Sequence, residues 1–190
     1  TASAAARLRR RSDQYEMAGV AHLPEPFLPL GLPNQNTADP RPIFRKAFDN
    51  LSRWVRKNER PPYARYFKGT IDATDAFIPA LDADGHFAGG VRLPHVASTV
   101  RGRVGGAPLG HHKPLNSAGL DPFHPFVFLG GTFTRFSADE LLNRYGSRRQ
   151  YLKQVKRAAD HLAARGYITN QDARAILAAA RDEVHHGICE

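Results

Sequence analysis

The apolar and polar positions of this chain change rhythm three times. Residues 14–18 have strand character, rise into the small Ala18-Gly19 step and end on His22. The run from Leu23 to Pro33 follows, and its four prolines exclude regular hydrogen-bonded structure and predict a stiff extended loop. Asp39-Pro40 then supplies an N-cap and a first-turn proline. Ile43, Ala47, Leu51 and Trp54/Val55 recur at helical spacing, so an amphipathic helix is expected over 40–57, stopping before Pro61-Pro62.

Residues 62–124 keep no period for long. Residues 67–71 and 76–81 have strand composition, Asp82-Ala83-Asp84-Gly85 supplies a turn, and 87–91 can return beyond it. Gly102, Gly105, Gly106 and Gly110 loosen the next stretch, so this middle is expected to lie over another surface. Helical spacing returns at the end. Ser137 opens a helix over 138–145, and Ser147 with Gln150 makes a capping box for a helix over 148–165. Its stripe is Tyr151, Val155, Ala158 and Leu162, and Gly166 ends it. Thr169 caps a last helix carrying Ala173, Ile176, Leu177 and Ala180, and the two predict an αα-hairpin. A helix over 2–8 is expected at the start. The pattern divides the chain into 1–38, a strand with its histidine and proline loop; 39–60, the amphipathic helix; 61–136, an irregular segment with short strands; and 137–190, terminal helices.

Composition narrows the class. The 190 residues, 42% apolar, suffice for one domain with a core, and the lack of a long apolar run argues against a membrane span. The lone Cys189 cannot form an internal disulfide, which leaves the compartment open; a soluble bacterial protein, periplasmic or secreted, is compatible with it. Because the first residue is Thr1 and not Met, a processed, trimmed or fragmentary chain is expected. The net charge is +9, with four arginines in the run Arg7-Leu8-Arg9-Arg10-Arg11. A solvated basic segment, a nucleic-acid arm and a transit-like leader all fit that run. The remaining basic residues are mixed with acids and lack aromatic interleaving, so no nucleic-acid partner is expected.

Histidines carry the candidate chemistry. His22, on a loop directly after a strand, is placed as a general base, since an imidazole titrates near working pH; the plain alternative is a polar surface histidine. His111-His112 with His124, and His185-His186 with Cys189, lack the spacings of a zinc site, so no metal is expected. His124, set between Pro122-Phe123 and Pro125-Phe126, is the best candidate to line an apolar substrate pocket with Phe123 and Phe126. Asp82-Ala83-Asp84-Gly85 resembles the start of a calcium loop, but Leu93 stands where the twelfth-position glutamate belongs, so a reverse turn is expected. Thr1 as an N-terminal nucleophile is disfavoured by the Ala-rich helical sequence behind it. Trp54 and the Phe-rich run 123–136 read as core.

Several segments resemble the alpha/beta hydrolase domain family of bacterial enzymes. Tyr15-Glu16-Met17-Ala18-Gly19-Val20-Ala21-His22 is similar to that family's Glu-x-Ala-Gly-x-x-His element, although Leu23-Pro24-Glu25 follows where the family carries Ala-Asp. Trp54-Val55-Arg56 before Pro61-Pro62, the Gly89-Gly90-Val91-Arg92-Leu93-Pro94 signature and Arg144-Tyr145-Gly146-Ser147 follow in the family's order. The resemblance implies an α/β fold, specifically the C-terminal portion of an α/β-hydrolase sheet with a mostly helical and irregular cap. It also implies a serine hydrolase of carboxylic esters or lactones needing no cofactor, with His22 as the catalytic histidine. In that fold the triad runs Ser, acid, His along the chain, so the serine and acid are expected on an upstream polypeptide. Gly89 or Gly90 is expected at positive φ, with Arg92 paired to a carboxylate or to carbonyls. The alternative is a non-catalytic basic binding module or interaction subunit.

Overall fold

The structure is a computed structural model that describes residues 13–26, 34–96, 107–113 and 127–185. Helix α1 spans Arg41–Lys57. It begins one residue later than the periodicity suggests, with Pro40 at the N-cap, yet the Asp39 carboxylate still accepts the Arg41 N–H at 3.0 Å. Asn58, at φ 57°, closes the helix by donating to the Trp54 carbonyl at 2.9 Å. Two short strands follow, β1 (Gly69–Ile71) and β2 (Phe77–Pro79), paired antiparallel. Single bridges extend the ladder at Leu81–Phe87 and Phe67–Gly89, on either side of the expected turn at Asp82–Gly85.

A second antiparallel pair joins β3 (Gly110–Lys113) to β4 (Thr132–Arg135), with a 3₁₀ turn over Val127–Gly130 leading into β4. The terminal helices are α2 (Ala138–Tyr145), α3 (Arg148–Ala164) and α4 (Asn170–His185). Ser137 Oγ accepts the Glu140 N–H at 3.2 Å and Ser147 Oγ the Gln150 N–H at 3.3 Å, so both serines cap as the sequence suggests. Thr169 and Asp172 cap α4 reciprocally: Thr169 Oγ1 accepts the Asp172 N–H at 3.0 Å and Asp172 Oδ2 the Thr169 N–H at 3.1 Å. Helices α3 and α4 pack on each other as the expected hairpin.

Two apolar cores meet at this hairpin. One gathers Ile43, Val91, Leu93, Val96, Leu162 and Ile168; the other gathers Leu109, Phe136, Leu141, Tyr145, Tyr151 and Val155, and Ile176 packs against both. Two expectations change here. The strand expected over 14–18 shrinks to one parallel bridge, Met17–Val91, held by Ala18 N–H to Val91 O at 3.2 Å and Val91 N–H to Glu16 O at 2.7 Å. The stripe expected on α1 splits: Ile43 enters the core, but Leu51 is 48% and Val55 79% exposed, beside Phe44 and Phe48 at 41% and 71%. Helical spacing reports an apolar face without reporting whether tertiary structure covers it.

A positive φ was expected at Gly89 or Gly90, and both have it, at +92° and +65°. A Cβ on Gly90 would lie 2.7 Å from Glu16 O, so any side chain there pushes the 15–18 segment off Val91. Gly90→Ala combines a left-handed alanine with that clash and is expected to cost about 2 kcal/mol. A melting midpoint lower by roughly 4–8 °C checks this, and an unchanged midpoint would contradict it.

Candidate functional site

The His22 loop is fixed at its flanks. Gly19, at φ +69°, turns the chain out of the 15–18 segment, and its carbonyl accepts Asn36 Nδ2 at 2.8 Å. Leu23 is held twice, its N–H donating to Leu129 O at 2.9 Å and its carbonyl accepting Gln35 Nε2 at 2.8 Å. Asn36 is fully buried; its Oδ1 also accepts the Ala38 N–H at 2.9 Å, its carbonyl the Glu25 N–H at 2.7 Å, and its own N–H reaches Gly130 O at 3.1 Å. A buried carboxamide satisfied in this way is costly to disturb, so it fixes the backbone on both sides of His22. Sequence reasoning missed Gln35 and Asn36. The polar run Asn34-Gln35-Asn36 after a proline-rich stretch was the available signal.

Within residues 19–23 only the His22 side chain is exposed. It is exposed and lines a hollow of about 510 Å³ with Met17, Val20, Ala21, Leu23, Pro40 and Phe44. Among the described residues no carboxylate pairs with the ring and no serine is set against it. The arrangement suits a base held at the lip of an apolar hollow, with orienting acid and nucleophile still to be supplied. Phe123, His124 and Phe126, expected to line a substrate pocket, lie outside the described residues. So do Thr1, the arginine run, the helix expected over 2–8, residues 27–33 of the proline loop, His186 and Cys189.

A second cluster surrounds the Gly-Gly-Val-Arg-Leu-Pro signature. Asp82 Oδ1 accepts the N–H groups of Asp84 (2.9 Å) and His86 (3.0 Å), which makes the expected reverse turn. Arg92 pairs with Asp82 Oδ2, as the sequence suggested, and Arg144 Nη2 reaches the buried Asp84 at 2.6 Å. His111 Nδ1 lies 2.8 Å from Asp84 O, its ring set edge-on to Phe136, over which Arg144 stacks at 3.9 Å. Asp82, Asp84 and His86 bring one ligand atom each within 4.8 Å of one another. Each carboxylate already carries a guanidinium, so the group reads as an ion-pair clamp tying the 82–92 turn to α2.

The electrostatics of this region point one way. Burial alone would raise the Asp82 carboxyl, but hydrogen bonds from His86 and Arg92 outweigh it and hold the pKa far below the usual carboxylate range. Three residues beyond Arg92, His95 Nε2 is sealed from solvent, and desolvation holds that imidazole down to about 4. Unfolded, His95 takes a proton near 6.5, so stability falls as pH drops from about 6.5 to 4. Asp82, with its folded pKa depressed, adds a second decline as pH falls below 3.8. In chemical denaturation across pH, His95→Gln is expected to flatten the upper limb and Asp82→Asn the lower. Identical acid limbs in wild type and both variants would contradict this.

Over residues 3–178 the chain matches the family model described as alpha/beta hydrolase domain. No curated protein and no solved structure matches it. Among the described residues no helix is long and apolar enough to cross a membrane.

Proposed function

The chain belongs to the alpha/beta hydrolase domain family, and on that premise we propose that it works in a serine hydrolase of carboxylic esters or lactones, with His22 as general base. One observation carries the reading. His22 stands exposed at the end of a parallel-paired segment, over an apolar hollow, on a loop whose flanks are fixed by Asn36, Gln35 and Leu129. That is where a base must stand to meet a nucleophile arriving from the carboxyl edge of a sheet. In this reading the chain is the C-terminal portion of the hydrolase sheet together with its cap, and an upstream polypeptide supplies the serine and the acid. None of the serines in these 190 residues lies in a Gly-x-Ser-x-Gly setting.

The chemistry follows from those positions. His22 takes the serine proton as Oγ adds to the ester carbonyl, and the resulting alkoxide is held by backbone N–H donors of the upstream polypeptide. The protonated ring then gives its proton to the leaving alcohol as the C–O bond breaks. A water, deprotonated by the same ring, releases the carboxylic acid and restores the serine. Phe123, His124 and Phe126 are proposed to contact the acyl or alcohol group. No metal or organic cofactor enters any step.

His22→Ala removes the base while leaving every core contact in place, because the side chain is exposed. Hydrolysis of p-nitrophenyl butyrate by the assembled protein is expected to fall by about 10³-fold or more, with the melting midpoint unchanged. Wild-type turnover in a folded His22→Ala protein would end the assignment.

A further inference from the structure

A second cleft, of about 530 Å³, lies between the second half of α1 and the junction of α3 with α4. None of its lining residues lines the His22 hollow. Its walls are tied to one another. Asn50 Nδ2 on α1 donates to Gly166 O at 3.0 Å, just past α3, and the Tyr167 hydroxyl donates to Tyr63 O at 2.6 Å, just past Pro61-Pro62. Four cations line the cleft, Lys46, Arg53, Arg60 and Arg165, and one carboxylate, Glu59. Three of these cations have a carboxylate to balance them. Arg53 Nε donates to Glu59 at 2.8 Å, Lys46 Nζ donates to Asp49 at 2.5 Å, and Arg60 Nε lies 3.7 Å from Asp13. Arg165 has none among the described residues: its guanidinium meets the Tyr167 hydroxyl at 3.4 Å and lies 5.7 Å from the centre of that ring. The cleft therefore keeps a surplus positive charge at the end of α3.

We infer that this cleft binds a small organic phosphate, a phosphomonoester whose dianionic head meets Arg165 and whose organic body lies against Pro61, Pro62 and Ile168. Charge and shape select the head. A guanidinium fork matches phosphate oxygens two at a time, and a dianion gains about twice the Coulomb attraction of a carboxylate from the same surplus charge. Size selects the body, because small-molecule sites run from roughly 300 to 1,000 Å³ and a bare ion would leave such a cleft largely water-filled. Convergence separates this group from an ordinary solvated basic face: α1, the segment after it and the end of α3 each contribute a cation, and hydrogen bonds hold those segments together. A single-stranded nucleic acid is the weaker fit, since no aromatic side chain lines the cleft for bases to stack on.

The test titrates the purified protein at low salt with phenyl phosphate, benzoate and inorganic phosphate, following heat and the amide chemical shifts of Gly166 and Asn170. Phenyl phosphate is expected to saturate one site and to move both amides. Arg165→Gln is expected to weaken it at least about 10-fold, the loss that follows from removing a charge-assisted pair. Benzoate, with half the charge, and inorganic phosphate, without the organic body, are each expected to bind at least about 5-fold more weakly. Arg165 is exposed, so Arg165→Gln is expected to keep the wild-type melting midpoint. Should it misfold, Arg60→Gln on the opposite wall and the wild-type amide shifts decide. No saturable binding of phenyl phosphate, unmoved Gly166 and Asn170 amides, or affinity indifferent to Arg165→Gln overturns the site. Benzoate binding as tightly as phenyl phosphate overturns the phosphate class, and inorganic phosphate doing so overturns the organic ligand. Binding of a single-stranded oligonucleotide with none of phenyl phosphate makes the cleft a nucleic-acid face and overturns the inference outright.

Discussion

Glu16 decides where His22 can be. Its carbonyl accepts the Val91 N–H, and its carboxylate accepts the Phe67 N–H. One residue therefore joins the amino-terminal segment to both arms of the central hairpin. Gly90 makes the approach possible, because a Cβ there would occupy the space of the Glu16 carbonyl. Behind Val91 lies the core of Leu93, Val96, Leu162 and Ile168, so the pairing is backed by the terminal helices. Two motifs separated by some seventy residues are thus halves of one contact. The acidic residue of the histidine element serves as the anchor that aims the loop.

Helix α1 is well held on one side and bare on the other. Helix α1 turns Ile43 and Asn50 inward, where Asn50 Nδ2 donates to Gly166 O at 3.0 Å and fixes the helix to the end of α3. Arg45 adds an ion pair to the buried Asp172 at the start of α4. The same helix turns phenylalanines and a leucine outward, which water tolerates only at a cost. A second patch of this kind lies on the β1–β2 hairpin, where Ile71, Phe77 and Ile78 are all about half exposed or more. Both are exposed apolar patches among the described residues.

Much of this was legible in the residues. Helices α1 to α4 announce themselves through Asp39-Pro40, Ser137, Ser147 and Thr169, because caps and helical periodicity act locally. The turn at Asp82 follows equally from local chemistry, whereas a positive φ at Gly89 or Gly90 was expected from the family resemblance. What the sequence could not report is long-range. The strand expected at 14–18 keeps only one bridge, and its partner, Val91, lies far along the chain. Asn36 gave no periodic signal, although its burial fixes both flanks of the His22 loop. The split of the α1 stripe was hidden for a related reason: Leu51 and Ile43 look alike on a helical wheel, and only tertiary structure separates a covered face from a bare one.

If His22 is the base of a serine triad completed by polypeptide outside these 190 residues, the structure of the chain bound to that polypeptide will show a serine Oγ about 2.6–3.2 Å from one nitrogen of the His22 ring and a carboxylate on the other. A bound structure in which His22 still faces solvent, or meets no serine, would contradict it.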